Sequence, residues 1–162
     1  MPGVGRGQAA TDRLGSVDAP SSRDEPLLRI GSFVVLIGDL EVGFASVGRL
    51  TSETDPDTVR GEQPGHRLVP VVLRRALTAS TELYEWRRRV VAGRDDRRDV
   101  TIRQLSAPGG RLVNQWTLVN AWPRRWSGPA FDALNDDIAY EEVELMFDDL
   151  VWDDHKPAHE GD

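Results

Sequence analysis

The chain is 162 residues long, with 39% hydrophobic and 29% charged residues, a formal net charge of −7 and no cysteine. This is one domain's length of chain, enough to bury a hydrophobic core, and without cysteine it has no disulfides, thiol catalysis or thiolate metal sites. The acidic balance argues against a general nucleic-acid binder, which needs a basic footprint, and no apolar run is as long as a membrane span.

Residues 1–26, MPGVGRGQAATDRLGSVDAPSSRDEP, are rich in Gly, Ala, Ser, Pro and Asp without apolar periodicity, and are expected to form a mobile arm. The start lacks the basic, apolar and cleavage-site order of a secretory signal, so cytoplasmic synthesis is expected. Gly3, Gly5 and Gly7 follow no strand and lack the lysine of a phosphate loop. Phe33 to Ile37 is β-branched and apolar, Gly38-Asp39 has turn chemistry, and Leu40 to Val47 returns, which predicts a hairpin. Residues 51–67 hold Pro56, Gly61 and Pro64-Gly65 and predict a long excursion or an extended hairpin. Loops of that length are more often functional than idle. LVPVVLRRAL, 68–77, reads as the next strand.

The period then changes. In STELYEWRRRVVAG, Ser80 is a plausible N-cap, Leu83, Trp86 and Val90 share a helical face, and Gly93 is a natural stop. DVTIRQLS is a strand, Pro108-Gly109-Gly110 a turn, and RLVNQWTLVNAW a further strand. IAYEEVELMF closes the series, with Val143, Leu145 and Phe147 alternating against Glu142, Glu144 and Asp148. The expected fold is mainly β: a small antiparallel sandwich or barrel over 27–152 with one flanking helix, followed by an acidic tail at 153–162.

The helix LYEWRRRVV followed by the segment NAWPRRWSGP is similar to the tail tube family of contractile phages and of the related extracellular contractile injection systems, with the resemblance covering about residues 28–152. The resemblance implies hexameric rings with a composite inner β-barrel, stacked into a tube inside a contractile sheath. It also implies sheath, baseplate and spike partners, and a lumen that conducts DNA or protein cargo, with no catalysis, cofactor, metal or membrane anchor. The motif positions are Leu83, Trp86, Asn120, Trp122, Pro123, Trp126, Gly128 and Pro129. Pro70 near a strand start, Ala76 where glycine is expected and the long arm depart from the family pattern. They leave open the main tube subunit or a specialised ring that joins the baseplate or caps the tube.

In NAWPRRWSGP, strand alternation puts Trp116, Leu118, Asn120 and Trp122 on one face, with Pro123 ending the strand. Trp126 is expected to anchor a corner. A subunit contact fits the same Trp and Arg letters. So does a stacking platform for single-stranded nucleic acid, the rival reading of the whole chain. Eight arginines against four acids from Arg74 to Arg98, and eleven acids against one lysine from Asn135 on, allow self-complementary pairing. Arg87, Arg88 and Arg89 fan around the helix as a solvated face or as sheath or ring contacts. Arg60, Glu62, His66 and Arg67, in the excursion, are candidate inter-ring contacts. Glu142, Glu144 and Asp148 are candidate lumen-facing acids. His155 and His159 have a spacing that binds metals when helical, in a charged, Pro-containing tail expected to lack the order a site needs.

Overall fold

The computed structural model describes residues 3, 28, 30–60 and 63–153, with backbone alone over 55–60 and 63–67. The arm expected over 1–26, apart from Gly3, and the tail beyond Asp153 lie outside the described residues, as do Glu62, His155 and His159. Among the described residues no helix is long and apolar enough to cross a membrane.

Strand β1 (Phe33–Ile37) turns into β2 (Leu40–Val42) through Ile37 opposite Leu40. Gly38 has φ of 60° while Asp39 does not enter positive φ, the type II′ arrangement that matches strand twist. The return strand expected to reach Val47 breaks after Val42. The chain crosses to another part of the fold, where β3 (Ser46–Val47) pairs with β6 (Val71–Ala76). The excursion is an extended hairpin, β4 (Ser52–Arg60) and β5 (Gln63–Leu68), forming its own two-stranded ribbon. Both strands of such a ribbon are edges, which tolerates Pro56 and Pro64, and the register slips between Asp55 and Arg60. The strand expected over 68–77 is divided at Pro70, which has no N–H to give a ladder, so β6 begins at Val71.

Helix α1 (Glu82–Val91) buries Leu83 and Trp86. Its N-cap is Thr81 rather than Ser80, without a side-chain cap; the Ser80 hydroxyl accepts the Glu82 N–H only at 3.5 Å. Gly93, at φ 81°, ends it as expected. Strand β7 (Arg98–Leu105) and β8 (Leu112–Ser127) follow around Gly109, at φ 68°. Then come β9 (Tyr140–Met146) and an unanticipated β10 (Asp149–Asp153), which pairs with β8. The sheet order is β2-β1-β7-β8-β9-β6-β3, so β8 pairs with β7 and β10 through its first part and with β9 through its last. The core fills the fold between: Val35, Ile37, Leu73, Leu118, Val143 and Leu145 are among its buried members.

Two irregularities in β8 overturn the expected shared face of Trp116, Leu118, Asn120 and Trp122. Arg98 opposes Ala121 but Val100 opposes Leu118, so β8 carries one extra residue there. Asn120 takes it up at φ 52°. The inward phase shifts from Leu118 to Ala121 and Pro123, leaving Asn120 exposed. Pro123 does not end the strand. A second insertion between Pro123 and Arg125 lets the strand continue along β9, and a bulge is where a strand proline is tolerated. Asn120 is clamped by aspartates, its N–H donating to Asp99 Oδ1 at 3.0 Å and its Nδ2 to Asp148 Oδ2 at 3.1 Å.

Because Asn120 sits in the left-handed region, Asn120→Val should lower unfolding free energy by about 1–2 kcal/mol. Asn120→Gly should fall well short of that loss. Urea denaturation of the two variants beside the unsubstituted chain checks the ordering.

Candidate functional site

Among the described residues, two charged side chains lie in the core. Val71, Leu73 and Arg75 point inward from β6, and Glu141, Val143 and Leu145 from β9, which brings Arg75 directly opposite Glu141. Arg75 is 6% exposed and Glu141 2%. Arg75 Nε donates to Glu141 Oε1, and its Nη1 donates to Glu82 Oε1 in the first turn of α1 at 2.8 Å. The other Glu141 oxygen accepts Trp126 Nε1–H at 3.0 Å. Burial by itself would lower the Arg75 pKa, but the hydrogen bonds to Glu82 and Glu141 outweigh it and hold the value above normal, so the guanidinium stays charged.

This cluster accounts for the corner segment NAWPRRWSGP. Trp126 also meets Tyr84 of α1 edge-on, with ring centres 5.1 Å apart. Gly128 lies under the same indole, where an added Cβ would come within 2.9 Å of the ring. Pro123 is fully buried and its carbonyl accepts from Arg87 Nη1 at 3.2 Å. Trp122 is half-buried beside Val90 and Gly93. Trp116 lies apart from both, stacked on Trp152 at 5.5 Å. The three tryptophans therefore have three separate settings, and Trp126 is the one that joins helix to sheet.

A second node closes the far end of the helix. Trp86 is buried, with its Nε1–H donating to the Asp96 carbonyl at 2.7 Å. The Asp96 carboxylate accepts from Arg89 Nε and from Arg98 Nε at 2.8 Å, with Arg98 5.4 Å over the Trp86 ring. Burial pushes the Asp96 pKa up, but the hydrogen bonds from Arg98 and Arg89 with their charges more than reverse it, and it lies below the usual 3.8. Of the three helix arginines, Arg87 and Arg89 thus bind within the fold, and Arg88 is exposed beside Tyr84.

The three acids expected to share an outer face each meet an arginine or amide. Glu142 lies 3.7 Å from Arg74, and Glu144 3.5 Å from Arg124. Asp148 binds Arg97 at 3.2 Å and holds Asn120. Glu142 and Asp148 are exposed and Glu144 half-buried, so this face is a mosaic of both signs. Arg60, His66 and Arg67 fall in the β4–β5 ribbon, whose tip residues are known by backbone alone. Pro129 follows Gly128 out of the corner into the β8–β9 loop. Sequence reasoning missed Arg75, Glu141, Glu82 and Asp96. The signal for the first two was present, since opposite charges continue the buried alternation of Val71-Leu73 and Val143-Leu145.

A family model described as the T4-like virus tail tube protein gp19 matches residues 31–151. Among solved structures, the chain is similar to the sheath/tube terminator of the PVC extracellular contractile injection system in its extended state. The identity is 28%, covering 80% of this chain and 99% of that one, with a TM-score of 0.72. It is similar to the sheath-tube complex of the same system at 27% identity, covering 80% and 93%, with a TM-score of 0.66. Hcp1 from Flavobacterium johnsoniae shares the fold at 16% identity, 75% and 94% coverage and a TM-score of 0.54. No curated protein matches the chain.

Removing one member of a buried ion pair strands the other, so Glu141→Ala should lower stability by about 3–5 kcal/mol in urea denaturation. Arg75→Met combined with Glu141→Leu should recover much of that loss. For Asp96, the lowered folded pKa means its stabilising contribution is complete above the unfolded value near 3.8 and is lost as pH falls through the folded value. Asp96→Asn should therefore be less stable than the unsubstituted chain at pH 7. The gap should close in denaturation curves taken below pH 3.8.

Proposed function

The chain belongs to the T4-like virus tail tube protein family, and on that premise we propose that it is a structural subunit of the inner tube of a contractile phage tail or contractile injection system, acting by self-assembly. The reading rests on the extent of the family match, which begins at residue 31, ahead of β1, and ends at residue 151, inside β10. Strands β1 to β9 and the helix fall within it, with the first part of β10. The likenesses to a sheath/tube terminator and to a sheath-tube complex, at 28% and 27% identity, support the same class of machine.

In this reading 27–152 is the assembling domain, 1–26 an arm and 153–162 an acidic tail. Six copies close a ring, and rings stack into a channel for DNA or protein. The sheath surrounds the tube, with Arg88 on the exposed side of α1 as one contact that salt would weaken. The β4–β5 ribbon, with Arg60, Glu62, His66 and Arg67, reaches between rings. Baseplate and spike proteins meet the tube's end. The work of the protein is assembly, and the buried charge cluster serves it by keeping each copy the same shape.

A second reading is a ring that terminates the tube. It is favoured by the likeness to the sheath/tube terminator, whose TM-score of 0.72 and 99% coverage exceed the 0.66 and 93% for the sheath-tube complex. Negative-stain electron microscopy with sedimentation separates them. The main tube role is expected to give hollow tubes that lengthen with concentration, whereas rings that never stack would move the assignment to the terminator. A monomer that binds single-stranded DNA tightly would overturn both.

A further inference from the structure

The loop between β8 and β9 holds Phe131, Leu134 and Ile138 at 88%, 98% and 66% exposure. Three large apolar side chains this close together in water mark a contact surface, unlike isolated surface hydrophobes. Their backbone is fixed. Leu77 N–H donates to the Ala139 carbonyl at 2.8 Å, Leu134 N–H to Asp132 Oδ1 at 3.0 Å and Asp137 N–H to Asn135 Oδ1 at 2.9 Å.

Elsewhere on the same molecule the core is left open on one side. Phe33, Ile102 and Trp116 form one part of a groove of about 710 Å³, and Val47, Arg49 and Leu50 another. Phe33, Val47, Leu50 and Trp116 pack against the core, so the groove is an extension of the hydrophobic interior. Trp152, 63% exposed and stacked on Trp116, lengthens the apolar surface.

We infer that the β8–β9 loop of one copy seats Phe131, Leu134 and Ile138 in this groove on a second copy, a contact that rests on the tube reading above. Charge points to the pairing. From Gly128 to Ala139 the loop carries Asp132, Asp136 and Asp137 and no basic residue. Among the described residues, the groove lining includes Arg49 and no acid. The loop does not fill its own groove, since its apolar side chains face water. Loop and groove are different patches, so their contact is head-to-tail, the kind that closes into rings or continues as a filament. One chain thereby supplies both halves of a repeating joint.

The absence of native cysteine makes introduced thiols unambiguous reporters. A chain with both Leu134→Cys and Ser46→Cys, assembled and treated with a short bismaleimide, is expected to give a ladder of covalent multimers on a denaturing gel. Each single variant alone should give none, and an equal mixture of the two should stop at dimers. Phe131→Asp with Leu134→Asp should keep the circular dichroism spectrum and melting temperature, because both side chains are exposed, yet lose assembly in sedimentation. Rings or tubes that do not cross-link, and that still form with both aspartates in place, would overturn the loop–groove joint and leave the tube reading standing. Cross-linked dimers from Leu134→Cys alone would overturn it in favour of loop-to-loop contact. A chain that stays monomeric at high concentration would overturn joint and tube reading together.

Discussion

The buried pair of Arg75 and Glu141 is the constraint on which the helix side of the fold depends. Taking two charges out of water costs several kcal/mol per ion, and only good geometry and further hydrogen bonds offset it. Here Glu141 uses one oxygen on Arg75 and the other on Trp126, and Arg75 reaches on to Glu82. Four elements, β6, β9, α1 and the end of β8, are thereby joined at one point. The return on that desolvation is register. A one-residue slip of β6 against β9 would turn Arg75 outward together with Val71 and Leu73, breaking its contacts to Glu141 and Glu82.

Strand β8 performs a different task with ordinary means. It runs 16 residues and pairs with three other strands, β7 and β10 along its first part and β9 along its last. The first inserted residue changes which side of β8 faces inward, so that Leu118, Ala121 and Pro123 all reach the core despite the odd step from Leu118 to Ala121. Aspartates from β7 and from the turn before β10 hold the first insertion, and the helix, through Arg87, reaches the second. Thus Asp148, read from sequence as part of an acidic face, also steadies the bend in the strand.

Much of this was legible in the sequence, and the failures have physical causes. The hairpin turn at Gly38, the helix with its Gly93 stop and the alternation of Val143, Leu145 and Phe147 depend on local chemistry, and each stands where the residues placed it. The phase of β8 depends on Asp99 and Asp148, which are distant in sequence from one another, so simple alternation misassigned Asn120 and Trp122. Strand β10 escaped because DDLVWDD surrounds its apolar residues with charge. The buried pair was readable in principle: Arg75 and Glu141 each continue a buried face, and a charge in phase with core residues signals a partner across the ladder.

The bulges in β8 have a consequence measured as an angle. An extra residue on one strand bends it relative to its neighbours, because the same span must hold more backbone. In a closed ring the bends contributed by all copies share a single full turn. In such a ring the bend of β8 would follow from the number of residues in the strand. Adding or deleting a residue near Asn120 or Arg124 alters that bend, while exchanging one side chain of the strand for another leaves it in place.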